Sequence, residues 1–291
     1  MTSADFYRNR IYWITGASSG IGRALAEEAL AAGASVILTA RRSEPLAEIA
    51  AAAPDRCVVL PADLEEIGAI DELSEAAWNA FGRLDGLFLV AGTSQRAPAT
   101  ETSAEVEARL WNINFRGAAR LLKAVVPRLA STNAAPAGPG NNHPGRNNHP
   151  AGSRRLAGPR IGVVTSLAAY VPTPLRSTYS ASKSALASYA ESLAAEIAPL
   201  GITLTHVVPG FVRTAVSTSA LQGDGSAYGK MDGNQQNGMA PDVCARRILA
   251  AVARGRARVF VALGVRGRLA LFLSRVFPGL LRRLLSKVAS R

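Results

Sequence analysis

The stretch from Ile11 to Arg42, IYWITGASSGIGRALAEEALAAGASVILTARR, restricts the fold more than any other part of the chain. A short apolar, β-prone run ends at Thr15 and is followed by a turn holding Gly16, Gly20 and Gly22. An Ala-rich helical stretch comes next, and a second apolar run closes the unit. Strand, glycine turn, helix and strand within roughly thirty residues form the unit that cradles a diphosphate. The glycines let backbone approach the ligand, and the helix N-terminus offers amides and a favourable dipole. The same rhythm continues downstream. Strands are expected at 10–15, 34–39, 56–60, 85–90, 160–165, 202–208 and 257–262, and helices at 20–32, 44–53, 65–81, 103–129, 177–198 and 241–254. Runs such as VILTA and LFLVA are apolar throughout, as strands covered on both faces should be. The expected fold is α/β: one doubly wound Rossmann-type domain with a parallel sheet of about seven strands.

Composition narrows the class. Of 291 residues, 48% are hydrophobic, which excludes bulk disorder. Cys57 and Cys244 stand far apart with no ligand spacing, so a reduced, cytoplasmic chain without a metal site is expected. The first residues hold no apolar run of signal-peptide length, and no stretch reaches the roughly 18 apolar residues of a spanning helix. The net charge of +12 is localised. Residues 243–291 carry 12 Lys or Arg and no acid, while residues 1–242 balance 21 basic against 21 acidic side chains. A neutral body with a basic tail points to an acidic surface near the C-terminus. No interleaved aromatics or recognised module accompany that charge, so nucleic acid is not an expected partner.

Domain boundaries follow from three departures in rhythm. Residues 1–262 are read as the dinucleotide-binding and catalytic domain. Within it, 131–160 is rich in Pro, Gly, Asn and Arg and reads as a disordered insertion. His143 and His149 in that segment read as polar filler, because ligand geometry needs a fixed scaffold. Residues 213–239 are polar and Gly-rich, follow a strand end, and read as a substrate lid. Residues 263–291 form a basic amphipathic tail. From Arg266 its Leu269, Leu273, Val276, Leu280, Leu284 and Val288 recur at helical spacing among Arg275, Arg282, Arg283 and Lys287, with Pro278 as an interruption. Such a helix suits the surface of an anionic membrane, the protein's own body or a partner subunit.

The spacing TGxxxGxG, with further motifs in the right order over residues 10–262, resembles the short-chain dehydrogenase/reductase family. At the end of the second strand stand Thr39, Ala40, Arg41 and Arg42, with no acid to bind a ribose 2′-hydroxyl. Two guanidiniums suit a 2′-phosphate, so NADP(H) is the expected cofactor. The turn residues Gly16, Ser18, Ser19, Gly20, Ile21 and Gly22 are expected to hold it. The resemblance adds Asp63 as an adenine contact, although this residue could equally cap the next helix. It also implies contacts from Ala91 and Gly92, and from the loop PGFVRT through Pro209, Gly210, Val212 and Thr214. Leu89 and Val90 stand where the family usually has Asn-Asn, side chains that tie neighbouring backbone together.

Tyr179 and Lys183 are four apart in STYSASKSALASYA and share a helical face. A free phenol has a pKa near about 10, and a nearby ammonium is expected to lower it, giving a general acid for carbonyl reduction. Ser166 ends the strand IGVVTS, where open α/β sheets hold ligands, and resembles the family's serine that bonds the substrate oxygen. The resemblance also sets Tyr179 and Lys183 against the cofactor, Lys183 on the nicotinamide ribose, and assigns Asn114, in WNINFRG, to a water path that reprotonates the lysine; Asn112 is nearby, but the spacing to Gly117 favours Asn114. It further implies a homodimer or homotetramer built through helices 103–129 and 177–198.

The reading is therefore reversible NADPH-dependent reduction of a carbonyl to a secondary alcohol. The substrate is a small, lipophilic or lipid-like molecule, and the protein is cytoplasmic, with peripheral contact of residues 266–291 on the inner face of a membrane. A non-catalytic NADP(H)-binding scaffold or sensor is one alternative. A serine hydrolase is another, since GASSG, Gly16 to Gly20, fits a nucleophile elbow around Ser18 and SASK, Ser180 to Lys183, fits SxxK. His206 is the histidine in a rigid element that such a hydrolase would need.

Overall fold

A computed structural model describes residues 3–134 and 158–289. In chain order the elements are α1 (Ser3–Tyr7), β1 (Ile11–Thr15), α2 (Gly20–Ala31), β2 (Ser35–Thr39), α3 (Glu44–Ala51), β3 (Cys57–Val59), α4 (Ile70–Phe81), β4 (Gly86–Leu89), α5 (Ala104–Trp111) and α6 (Gly117–Ala134). There follow β5 (Arg160–Val164), α7 (Ser177–Ile197), β6 (Thr203–Pro209), α8 (Gly233–Gln236), α9 (Pro241–Ala253), β7 (Arg258–Val261), α10 (Gly264–Val276) and α11 (Pro278–Ala289). The seven strands form one parallel sheet in the order β3-β2-β1-β4-β5-β6-β7. Strand order reverses between β1 and β4, which opens a crevice at their carboxyl ends.

Alternation along each strand sends side chains to two cores. In β1, Tyr12 and Ile14 join Leu25, Phe88 and Ile248 on the face covered by α2 and α9. Ile11 and Trp13 join Leu87, Leu121 and Leu186 on the face covered by α4, α6 and α7. Because both faces are buried, no polar stripe appears in the sequence to mark an outside.

The strands fall within a residue or two of expectation, and the helices differ from it at a few points. The helix expected at 103–129 is α5 and α6 joined by a π turn over Asn112–Arg116, and α6 runs on to Ala134. Residues 131–134 are therefore helical, and at the other end of the expected insertion Arg160 already belongs to β5; 135–157, with His143 and His149, lie outside the described residues. As expected, the tail is interrupted at Pro278, which cannot donate to the turn before it, and forms two helices. Leu273 and Leu281 from these helices pack on Val171, flanked by Leu167 and Tyr170. Finally, α1 was not expected. It lays Phe6 and Tyr7 under the sheet, where the Tyr7 hydroxyl donates to Leu249 O at 2.9 Å.

Candidate active site

The carboxyl ends of the strands line a cleft of about 840 Å³. At its start Gly16 has φ +69°, and a Cβ on Gly22 would sit 2.2 Å from Gly16 O. The turn can therefore be this tight only without side chains at these two positions. Ser19 caps α2 in an extended conformation and makes no side-chain hydrogen bond to the helix. The first amides of a 12-residue helix are thus left facing the cleft beside Ser18, Gly20 and Ile21. Thr214 closes over this turn, its Cγ2 only 2.9 Å from where a Cβ on Gly20 would lie. This empty-sided, amide-lined cradle fits a dinucleotide diphosphate.

The far end of the same cleft is lined by Arg41, Arg42 and Asp63. Thr39 is buried at the end of β2, its hydroxyl accepting from Trp13 Nε1 at 2.9 Å, so the strand itself ends without an acid. Asp63 lies 3.8 Å from Arg41 and also accepts from the Glu65 amide at 3.0 Å. The carboxylate lines the cleft and closes a local turn, but it does not cap the next helix, whose N-terminus lies beyond it at Ala69.

The missing Asn-Asn pair after β4 has a local replacement. The Thr15 hydroxyl accepts from the Val90 and Ala91 amides at 3.2 and 3.3 Å. A side chain from the neighbouring strand therefore ties the segment that leads to Gly92. Pro209, Gly210 and Val212 line the cleft from the end of β6, with Val212 buried in the core.

The structure brings Ser166, Tyr179 and Lys183 to one wall of this cleft and places Asn114 just behind it. The Tyr179 ring packs against Val106, Leu110 and Leu221. Burial raises its pKa above the ordinary value, opposed by a hydrogen bond with Ser166 and by the positive charge of Arg176. The sequence alone suggests that Lys183 lowers the tyrosine pKa. Here the net direction is upward, because desolvation outweighs the charges that reach the phenol, and the cation acting on it is Arg176. Lys183 is 4% exposed, donates to Val164 O at 3.4 Å, and is pushed by burial down to about 8.

Asn114 is 0% exposed and sits in the π turn. Its Oδ1 accepts from the Thr93 amide at 2.9 Å, and its Nδ2 donates to Thr93 O at 3.0 Å and to Ser182 Oγ at 3.1 Å. Ser182 in turn donates to Tyr179 O at 2.9 Å. Any side chain on Gly92 would meet Asn114 Oδ1 and Lys183 Nζ, both at 2.9 Å. The asparagine thus fastens the end of β4 to the helix that carries Tyr179 and Lys183.

The depressed Lys183 pKa has a stability consequence. Between pH 8 and 10.5 the unfolded chain holds this proton more tightly than the folded one, so stability rises with pH through that window. Below pH 8 the full cost of a buried ammonium applies. Lys183→Met is expected to stabilise the ligand-free protein at pH 7 by on the order of 3 kcal/mol, with the gain fading above pH 10. Thermal melting of both proteins across that range checks it; equal melting temperatures at pH 7 would refute it.

Several cleft residues were not foreseen from the sequence. Arg96 and Arg176 meet Asp232 Oδ2 at 3.3 and 3.2 Å, joining the loop after β4 and the start of α7 to the segment 213–239. That segment also pairs with the loop after β4, where Leu221 N donates to Ser94 O and Arg96 N donates to Leu221 O, both at 2.8 Å. Ser94 Oγ and Gln235 Oε1 are buried, line the cleft and find no hydrogen-bond partner among the described residues. Across from this polar end, Leu167, Val171, Gly267, Ala270 and Leu285 form an apolar wall. No local pattern could have revealed these groupings, since each joins segments distant in sequence. His206 is equally uninformative from sequence: buried in β6, it bonds Thr165 at 2.7 Å and Glu191 at 2.6 Å. Among the described residues it makes no contact with Ser18, which the glycine turn holds at the cradle.

Comparison with known proteins decides the family. The family model described as short chain dehydrogenase matches residues 10–137 and 155–224. The chain belongs to the short-chain dehydrogenase/reductase family. The relatives of this short-chain dehydrogenase include a dehydrogenase/reductase SDR family protein 7-like of Drosophila melanogaster, 32% identical over 299 residues, covering 98% of this chain and 83% of the relative. Dehydrogenase/reductase SDR family member 7B of Bos taurus is 32% identical over 295 residues, with the same two coverages of 98% and 83%. Among solved structures, a short-chain dehydrogenase from Streptomyces avermitilis is similar with a TM-score of 0.73 at 27% identity, covering 97% of this chain and 95% of that one. One from Burkholderia phymatum, solved in complex with NAD, shares the fold with a TM-score of 0.74 at 21% identity, covering 94% of each chain. This short-chain dehydrogenase/reductase is accordingly an NAD(P)-dependent oxidoreductase acting on alcohol and carbonyl groups.

Proposed function

We propose that this short-chain dehydrogenase/reductase reduces a lipophilic carbonyl compound to a secondary alcohol with NADPH, reversibly. The observation that carries this reading is one cleft holding the glycine cradle and two arginines at one end, with Ser166, Tyr179 and Lys183 further along it. Bound there, NADPH would supply the hydride. The diphosphate would rest on Gly16–Gly22, the 2′-phosphate on Arg41 and Arg42, and the remainder on Asp63, Ala91, Gly92, Pro209, Gly210, Val212 and Thr214.

Tyr179 acts as general acid. Burial keeps its phenol protonated, ready to donate to the carbonyl oxygen, and Ser166 and Arg176 then stabilise the phenolate left behind. Ser166 also orients the substrate oxygen. Lys183 holds the ribose and returns the proton to Tyr179, a task suited to an amine whose pKa is about 8. Both Nδ2 donors of Asn114 are spent on Thr93 and Ser182. Its side chain therefore anchors the site, and the water path that would return a proton to Lys183 has to meet Asn114 at its main chain in the π turn. Residues 213–239 act as a lid latched by Asp232 between Arg96 and Arg176. The cleft has a polar end at this latch and an apolar wall from the tail, which suits an amphiphilic molecule. Helices α5, α6 and α7 serve as the faces of a homodimer or homotetramer. The protein works in the cytoplasm, with its basic tail on the inner face of a membrane.

Cofactor choice has its own test. A charge-assisted hydrogen bond is worth about 1.5–3 kcal/mol, so the double variant Arg41→Ala/Arg42→Ala is expected to raise KM for NADPH by roughly ten- to a hundredfold or more. KM for NADH should barely move. Steady-state kinetics with both cofactors checks this, and equal losses for the two would refute the NADP(H) preference. For the reaction, NADPH oxidation is followed against a panel of short-, medium- and long-chain keto compounds. Turnover that rises with chain length is expected; none on any ketone would overturn the reading.

A further inference from the structure

The tail helices α10 and α11 have two used faces. Inward, Leu273 and Leu281 pack on Val171, and Gly267, Ala270 and Leu285 form part of the cleft wall. Outward, Val265, Leu269, Phe272 and Val276 fall at intervals of four, three and four along α10, so they form one stripe. Val265 is 83% exposed, and Leu269 and Phe272 are each 54% exposed. Leu280 and Leu284 continue the stripe on α11, and Phe277 at the corner stacks edge-on with Phe272. A contiguous apolar surface of this kind on an otherwise buried-core protein marks an interaction site.

Charge identifies what covers it. Arg266, Arg268, Arg275, Arg282 and Arg283 are exposed around the stripe, and none of them takes part in an ion pair among the described residues. No acid lies anywhere from Val243 to Arg291. A second copy of this chain would bring five more arginines against these five, with no carboxylate to offset them. An anionic bilayer offers both what the apolar stripe needs and what the arginines need.

We propose that residues 264–289 form a docking hairpin for an anionic lipid surface, and that the catalytic cleft is fed through it. The second half rests on the reductase reading above. Since the same two helices contact lipid on one side and wall the cleft on the other, a lipophilic substrate passes from the bilayer to the Ser166–Tyr179 wall along Ala270, Leu285, Leu167 and Val171 without crossing water. No helix among the described residues is long and apolar enough to span a membrane, so the hairpin lies along the surface.

The test uses the full-length protein with vesicles of phosphatidylcholine alone and of phosphatidylcholine mixed with phosphatidylglycerol, read by co-sedimentation. Binding at least about tenfold tighter to the anionic vesicles is expected. Leu269→Ser/Phe272→Ser and Arg282→Gln/Arg283→Gln should each lose most of it while melting as the parent does, since all four side chains point outward. A bilayer lipid with a photoreactive group at its chain end should label Leu167 or Val171 in addition to the outer stripe. Equal binding to both vesicle types, or an outer face buried in a dimer that these variants dissociate, overturns the docking surface. Vesicle binding with label confined to the stripe overturns the portal. Neither readout needs turnover, so a failed carbonyl screen would sink the reductase reading separately.

Discussion

Tyr179→Phe should lower kcat by roughly a hundred- to ten-thousandfold, the usual contribution of a positioned general acid. The change deletes one oxygen from a ring whose packing against Val106, Leu110 and Leu221 is otherwise kept. The fold should therefore survive, and KM for NADPH should change little because the cradle lies elsewhere in the cleft. The parent rate should fall at alkaline pH as the phenol ionises, since reduction needs the protonated form. Burial raises the phenol's pKa, which moves its own ionisation above the range of a free tyrosine, so a fall that begins near pH 8 reports loss of the Lys183 proton instead. Stopped-flow and steady-state kinetics on the best ketone of the panel would read the effect. A variant turning over within a factor of a few of the parent would remove Tyr179 from the chemistry and leave a nucleotide-binding scaffold as the better description.

The second large effect is expected at the cradle. Gly22→Ala places a carbon where Gly16 O already lies, at 2.2 Å, and the obstacle is backbone, which cannot rotate aside. The turn must open, and misplacement of this order costs roughly a hundredfold in a preorganised site. NADPH affinity, read by fluorescence titration, should drop by at least that factor. Overpacking should also cost about 1–3 kcal/mol of stability, visible as a lower melting temperature. Gly68→Ala is the control, because nothing lies within 4 Å of the added carbon. Undiminished NADPH affinity in Gly22→Ala would place the diphosphate elsewhere.

These two variants probe different kinds of legibility. Local chemistry wrote the cradle into the sequence: only glycine tolerates the turn at Gly16 and Gly22, so the spacing itself announces it. The parallel sheet was equally legible, because strands buried on both faces must be apolar throughout. Tyr179 and Lys183, one helical turn apart, could be paired without any structure. What lay beyond local reading were the groups brought together by long-range packing. Thr15 stands in for the absent asparagines only because β1 and β4 are neighbours in the sheet. Arg176 and Ser166, not Lys183, oppose the burial of the phenol, and Asp232 meets two arginines from segments more than fifty residues away.

The sequence by itself determined the alternating α/β fold, the diphosphate turn and the tyrosine–lysine pair, because each depends on residue types a few positions apart. Tertiary structure alone decided the electrostatics of the phenol, the latch over the cleft and the two-faced placing of the basic tail. Desolvation and contact depend on which distant segments pack together, and no local pattern encodes that.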